Sequence, residues 1–143
     1  MNSAPEPVRP FSKGMVAMGV FLCFGASMAL LAGVTLSSPG TVMDGIWRLN
    51  PNAYRQLAPM GRLVGASFLF LSIVMAIAAT GWFKRHFLGW QLAVAILALQ
   101  AVGDTVNAMR GQVLEGLFGA TIIGALVFYL FRPDVRSVFK KSK

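Results

Sequence analysis

The sequence predicts an all-α membrane protein, an antiparallel four-helix transmembrane bundle with a short interfacial helix between the first and second spans. Three observations predict it. Charged residues make up 13% of the 143-residue chain and hydrophobic ones 56%, whereas a soluble domain carries about 25% charge. The apolar residues fall into four long runs bounded by bases, and the bases gather on alternate connections. Such a composition argues against a water-soluble enzyme. One Cys and one His rule out a disulfide framework, a multi-Cys metal site and a bis-histidine haem within one chain, so no cofactor or metal is expected.

The first span is Met15 to Leu36, inside a charge-free stretch from Lys13 to Asp44. At about 1.5 Å per residue it is long enough for a hydrocarbon layer of about 30 Å. A secretory signal core is shorter and ends at a small-residue cleavage pattern that this stretch lacks, so it is read as a retained anchor. Cys23 reads as a small buried residue. The dozen residues ahead, with Pro5, Pro7 and Pro10, are expected to form a flexible tail, residues 1–12.

Ser37 to Met60 is too polar to cross. Ser37-Ser38-Pro39-Gly40 signals a turn, and Val42, Ile46 and Leu49 then recur at helical spacing, with Asp44 and Arg48 four apart on another face. A short interfacial helix fits, with Asn50 capping a turn that starts at Pro51. The second span is Leu63 to Phe83. Lys84 to His86 is so short a connection that the third span, Phe87 to Met109, must return beside it. Gly111 suits the left-handed position after a helix, and the fourth span runs from Val113 to Phe131. Residues 132–143 form a basic tail. The whole is one domain, without repeats.

Orientation follows from the bases. The amino-terminal tail, the second connection and the carboxyl tail hold nine of the thirteen Lys and Arg, and Arg48, Arg55, Arg62 and Arg110 lie opposite. The positive-inside rule therefore puts both termini in the cytoplasm of a multi-pass protein of the cell membrane. Trp82, Trp90 and Tyr129 then fall at the inner boundary and Trp47 and Tyr54 at the outer one, as two aromatic belts. The tail alternates bases with Val135, Val138 and Phe139, a composition for lying on anionic lipid. Topology explains the high basicity, and nucleic-acid binding is not expected.

Gln100, Asp104, Asn107 and Gly111 share one face of the third span near its outer end. Asp104 sits about three residues, or about 5 Å, inside the boundary, where water or an external Arg reaches it. Membrane acids face protein or water. Two readings follow: an ion, proton or polar-ligand site with Gln100 deeper on the path, or a structural cluster with Arg48, Arg62 or Arg110 as counter-charge. Asp44, Arg48, Arg110 and Glu115 extend it into a mixed-charge patch, although Asp44 and Arg48 can satisfy each other and Glu115 suits a helix start.

Small residues recur every fourth position: Gly25, Ala29 and Gly33 in the first span, Gly61 and Gly65 at the second, Gly116, Ala120 and Gly124 in the fourth. They let backbones approach where lipid offers no hydrophobic drive. No nucleophile, base and oxyanion cradle occur together, so catalysis is not expected.

Four spans, a polar loop after the first, a very short basic second connection, the Gly103-Asp104 pair late in the third span and a glycine-rich fourth together resemble small bacterial four-span membrane proteins, the broad DoxX-like group among them. The resemblance covers Met15 to Pro133. It implies an antiparallel four-helix bundle in the bacterial inner membrane, associated with a membrane redox or maintenance system, and brings no catalytic residues with it. The small multidrug exporters also have four spans, but they rely on an acid in the first, which Met15 to Leu36 lacks. The expected function is a non-catalytic accessory or scaffold component, packed against a membrane-protein partner or a second copy of itself. The alternative is a small carrier or polar-ligand protein using the Asp104 cluster.

Overall fold

The computed structural model describes residues 11–109, 111 and 113–140, apart from the side chains of Asn107, Glu115 and Lys140. Among them every regular element is a helix: α1 (Lys13–Ser37), a 3₁₀ segment (Val42–Leu49), α2 (Pro51–Leu57), a short 3₁₀ turn (Ala58–Met60), α3 (Gly61–Phe83), α4 (Phe87–Met109), α5 (Val113–Phe131) and α6 (Pro133–Lys140). Lys13–Ser37, Pro51–Phe83 and Phe87–Val106 are each long and apolar enough to cross a membrane. Gly116–Phe131 and Pro133–Phe139 pass the same test only as a pair, bent by 63°. The composition is thus that of a multi-pass membrane protein.

Local chemistry starts and stops these helices. The Ser12 side chain accepts from the Met15 N–H at 3.3 Å and caps α1, so the expected amino-terminal tail ends in an ordered cap; residues 1–10 lie outside the described ones. Asn50 Oδ1 accepts from the Ala53 N–H at 3.1 Å, with Pro51 in the first turn of α2. At the α3–α4 turn Arg85 takes φ 58°, its N–H reaching Trp82 O (3.0 Å) while His86 N–H reaches Gly81 O (2.8 Å). This is a Schellman cap with an arginine where glycine is usual, and the Arg85 guanidinium lies 4.5 Å from the centre of the Phe11 ring. Gly111 has φ 94° between α4 and α5.

The long helices pack in the order α1, α3, α4, α5. Gly25 meets Met75, Gly33 meets Leu69 and Gly65 meets Ser37, so α1 and α3 run in opposite directions along one seam. Backbone meets backbone at Gly65, where an added Cβ would stand 2.9 Å from Ser37 N and 3.0 Å from Gly33 O. The buried Ser72 hydroxyl donates to Ala26 O (2.9 Å) across the same seam. Each tryptophan indole N–H also ties two elements: Trp82 to Met15 O (2.8 Å), Trp90 to Leu130 O (3.1 Å) and Trp47 to the buried Thr35 hydroxyl (3.0 Å).

Three sequence expectations need correction. Trp82 and Trp90 belong to the buried core, because their rings pack against Phe139 (4.7 Å) and Phe131 (5.7 Å) and their donors find carbonyls inside the protein. Cys23 is exposed on α1, since the face that α1 turns to α3 is Met18, Leu22, Ala26 and Ala29. The carboxyl tail is helical through Lys140 and folds back on α4 and α5, burying Val135 and Phe139 in the same core rather than leaving them for lipid. Arg132 and Arg136 stay exposed on it, Arg136 lying 5.6 Å from the centre of the Trp90 ring.

Candidate functional site

Asp104 stands on α4 where that helix meets α5. Gly116 comes close enough that a Cβ there would lie 2.8 Å from Asp104 O and 2.6 Å from the Ala108 Cβ. One turn further along α5, Gly119 forms a notch that the Asp104 carboxyl group fills, and a Cβ at Gly119 would collide with both Cγ and Oδ2. Gln100, one turn away, donates from Nε2 to Oδ1 at 3.4 Å, a long bond. Oδ2 is buried and has no hydrogen-bond partner among the described residues. A buried acceptor without a donor costs about 1–3 kcal/mol, so this atom marks the site. Among the described residues nothing offsets that cost.

The remaining candidates divide. Gln100 is exposed beside Asp104, and Gly103 between them has nothing within 4 Å of an added Cβ. Asn107 and Glu115 lie outside the described side chains, and Arg110 lies outside the described residues altogether. Arg62 and Arg48 are exposed. Asp44 does not pair with Arg48: its Oδ2 accepts from the Gly40 N–H at 2.6 Å and its Oδ1 faces the Thr41 hydroxyl at 3.5 Å, closing the turn after α1. The reason is backbone geometry, since Val42–Leu49 winds as a 3₁₀ helix, in which the fourth residue no longer shares a face. The ion pair among the described residues is Arg132 with Asp134, at 4.0 Å on the surface.

The small-residue stripes divide as well. Gly25, Ala29, Gly33 and Gly65 all lie in the α1–α3 seam. Gly61 takes φ 53° with open space around it, so it serves the turn into α3 rather than packing. On α5, Gly116 faces α4, but Ala120 is exposed and Gly124 has nothing within 4 Å. The α4-facing line is Gly116 and Gly119, three apart, and the four-residue spacing passes over Gly119. Also missed were Thr35 and Ser72, whose hydroxyls look like ordinary helix residues in the sequence.

Compared with protein-family models, with curated proteins and with solved structures, the chain matches none.

Proposed function

We propose that the chain is a non-catalytic accessory or scaffold component of the cell membrane. In this reading α1, α3, α4 and α5 form an antiparallel four-helix transmembrane bundle with both termini cytoplasmic. The 3₁₀ segment lies at the bilayer surface, consistent with the full exposure of Val42 and the 84% exposure of Leu49. The bundle binds a partner laterally through the face of α4 that carries Gln100, Gly103 and Asp104. One observation carries this: Asp104 Oδ2 is buried and no described residue donates to it, beside an exposed amide and an uncovered glycine. In hydrocarbon, helices associate through such polar groups at small-residue surfaces.

The test is the size of the assembly extracted in mild detergent. Gly103→Leu and Gln100→Leu should dissociate it while leaving the tryptophan fluorescence, to which the buried Trp82 and Trp90 contribute, unchanged. An assembly of unaltered size in both variants refutes the reading. The second reading, a small proton or polar-ligand carrier, rests on the same oxygen, which can bind a proton. Asp104→Asn separates the two. Lost pH-linked uptake into liposomes with the assembly intact favours the carrier; a lost assembly with no such signal favours the scaffold.

A further inference from the structure

A groove of about 530 Å³ runs along the outside of the α3–α4 hairpin, with Ile73, Ala76, Ile77 and Leu88 along it and Lys84 and His86 at its end. Ile73, Ile77, Thr80 and Lys84 follow each other at intervals of four, three and four, one continuous face of α3. Ile73 is 59% and Ile77 49% exposed. The one hydroxyl in the row, Thr80, is satisfied by Ala76 O at 2.8 Å, so the row presents hydrocarbon up to its charged end. Lys84 and His86 are exposed, and their side chains have no hydrogen-bond or ion-pair partner among the described residues; Arg85 between them turns to Phe11.

From Ile73 to Lys84 is about 16 Å along the helix axis, and one leaflet of a bilayer with a hydrocarbon core of about 30 Å is about 15 Å deep. An open apolar groove one leaflet long that ends in an exposed ammonium group suits a fatty-acyl chain with an anionic headgroup, and in a bilayer that headgroup is a phosphate. We propose that this groove binds one anionic phospholipid, its chain along Ile73, Ile77 and Leu88 and its phosphate at Lys84 and His86. The inference rests on the bilayer reading above but not on the role given to Asp104, which lies near the other end of α4.

The test is native mass spectrometry of the purified full chain in detergent, titrated with phosphatidylglycerol or phosphatidylcholine of the same acyl chains. Phosphatidylglycerol should bind more tightly by about fivefold, the effect of one base near an anionic surface. Lys84→Gln with His86→Gln should abolish that preference. Arg132→Gln with Arg136→Gln should leave it, and Ala76→Phe, which fills the groove, should weaken both lipids. A preference retained in the Lys84/His86 variant, or one that disappears with the Arg132/Arg136 variant instead, overturns the site. So does displacement of the lipid by inorganic phosphate at equal concentration, which would mark a headgroup site without a chain. Tryptophan fluorescence, to which the buried Trp82 and Trp90 contribute, reports whether each variant keeps its core. Dissociation of the Asp104 assembly without change in lipid preference would leave this site standing, and the converse holds.

Discussion

The α1–α3 seam and the α4–α5 seam are built from the same materials and end in different states. Both rest on glycines that let one helix settle on the next, and both contain a polar side chain at the contact. In the first, Ser72 donates to Ala26 O, and Trp82 closes the turn end by donating to Met15 O. In the second, the carboxyl group of Asp104 is lodged against Gly119 with one oxygen paired at 3.4 Å and the other without a partner among the described residues. A short hydroxyl can be satisfied by a neighbouring backbone carbonyl without leaving its own helix surface, whereas a carboxylate accepts only and needs a donor that an apolar helix does not supply. The first seam is therefore complete within the chain. Among the described residues the second is not.

The largest effect expected is at the first seam. Gly65→Val places two methyl groups where even a Cβ would press on Ser37 N and Gly33 O, backbone atoms that cannot swing aside. Overpacking of this kind costs about 1–3 kcal/mol or more, read as destabilisation in reversible unfolding in mixed micelles. An unchanged unfolding curve would mean that the two backbones are not in contact at Gly65. Next comes Gly119→Ala, which drives the Asp104 carboxyl group, the movable end of a side chain rather than backbone, out of its notch and should cost about 1 kcal/mol in the natural chain. Made together with Asp104→Ala it should cost little, because the colliding atoms are gone. Equal costs in the two backgrounds would show that the two side chains are not coupled.

Much of this architecture was legible because charge interrupts the apolar runs at few places. Lys13, Arg62, Lys84 and Arg132 lie within a few residues of the ends of the long helices. What lies inside was not legible for a related reason. A helix that is apolar on every side has no polar face to point away from the core, so Cys23 and Trp82 could not be told apart by periodicity. The 3₁₀ winding at Val42–Leu49 was hidden because residue spacing alone does not distinguish three from 3.6 residues per turn over eight positions. The polar face on α4 could be read from spacing; the notch that receives Asp104 could not. That notch depends on the register of α5 against α4, and the register is set by contacts of both helices with the core.

Two smaller substitutions compare the seams most directly. Ser72→Ala removes a buried hydrogen bond with no change of shape and should cost about 1 kcal/mol. Asp104→Ala removes a much larger polar group, yet one of its oxygens makes no bond to any described residue. In the isolated chain its effect on unfolding should stay within about 0.5 kcal/mol, or stabilise. A simple reckoning by polar atoms removed would rank them the other way. If Asp104→Ala instead costs more than Ser72→Ala in the dissociated chain, the carboxyl group is holding α5 in place by itself and needs no outside donor. If it costs less there but lowers the stability of the assembled form, the missing donor comes from the partner, and the second seam is an interface left half made by its own chain.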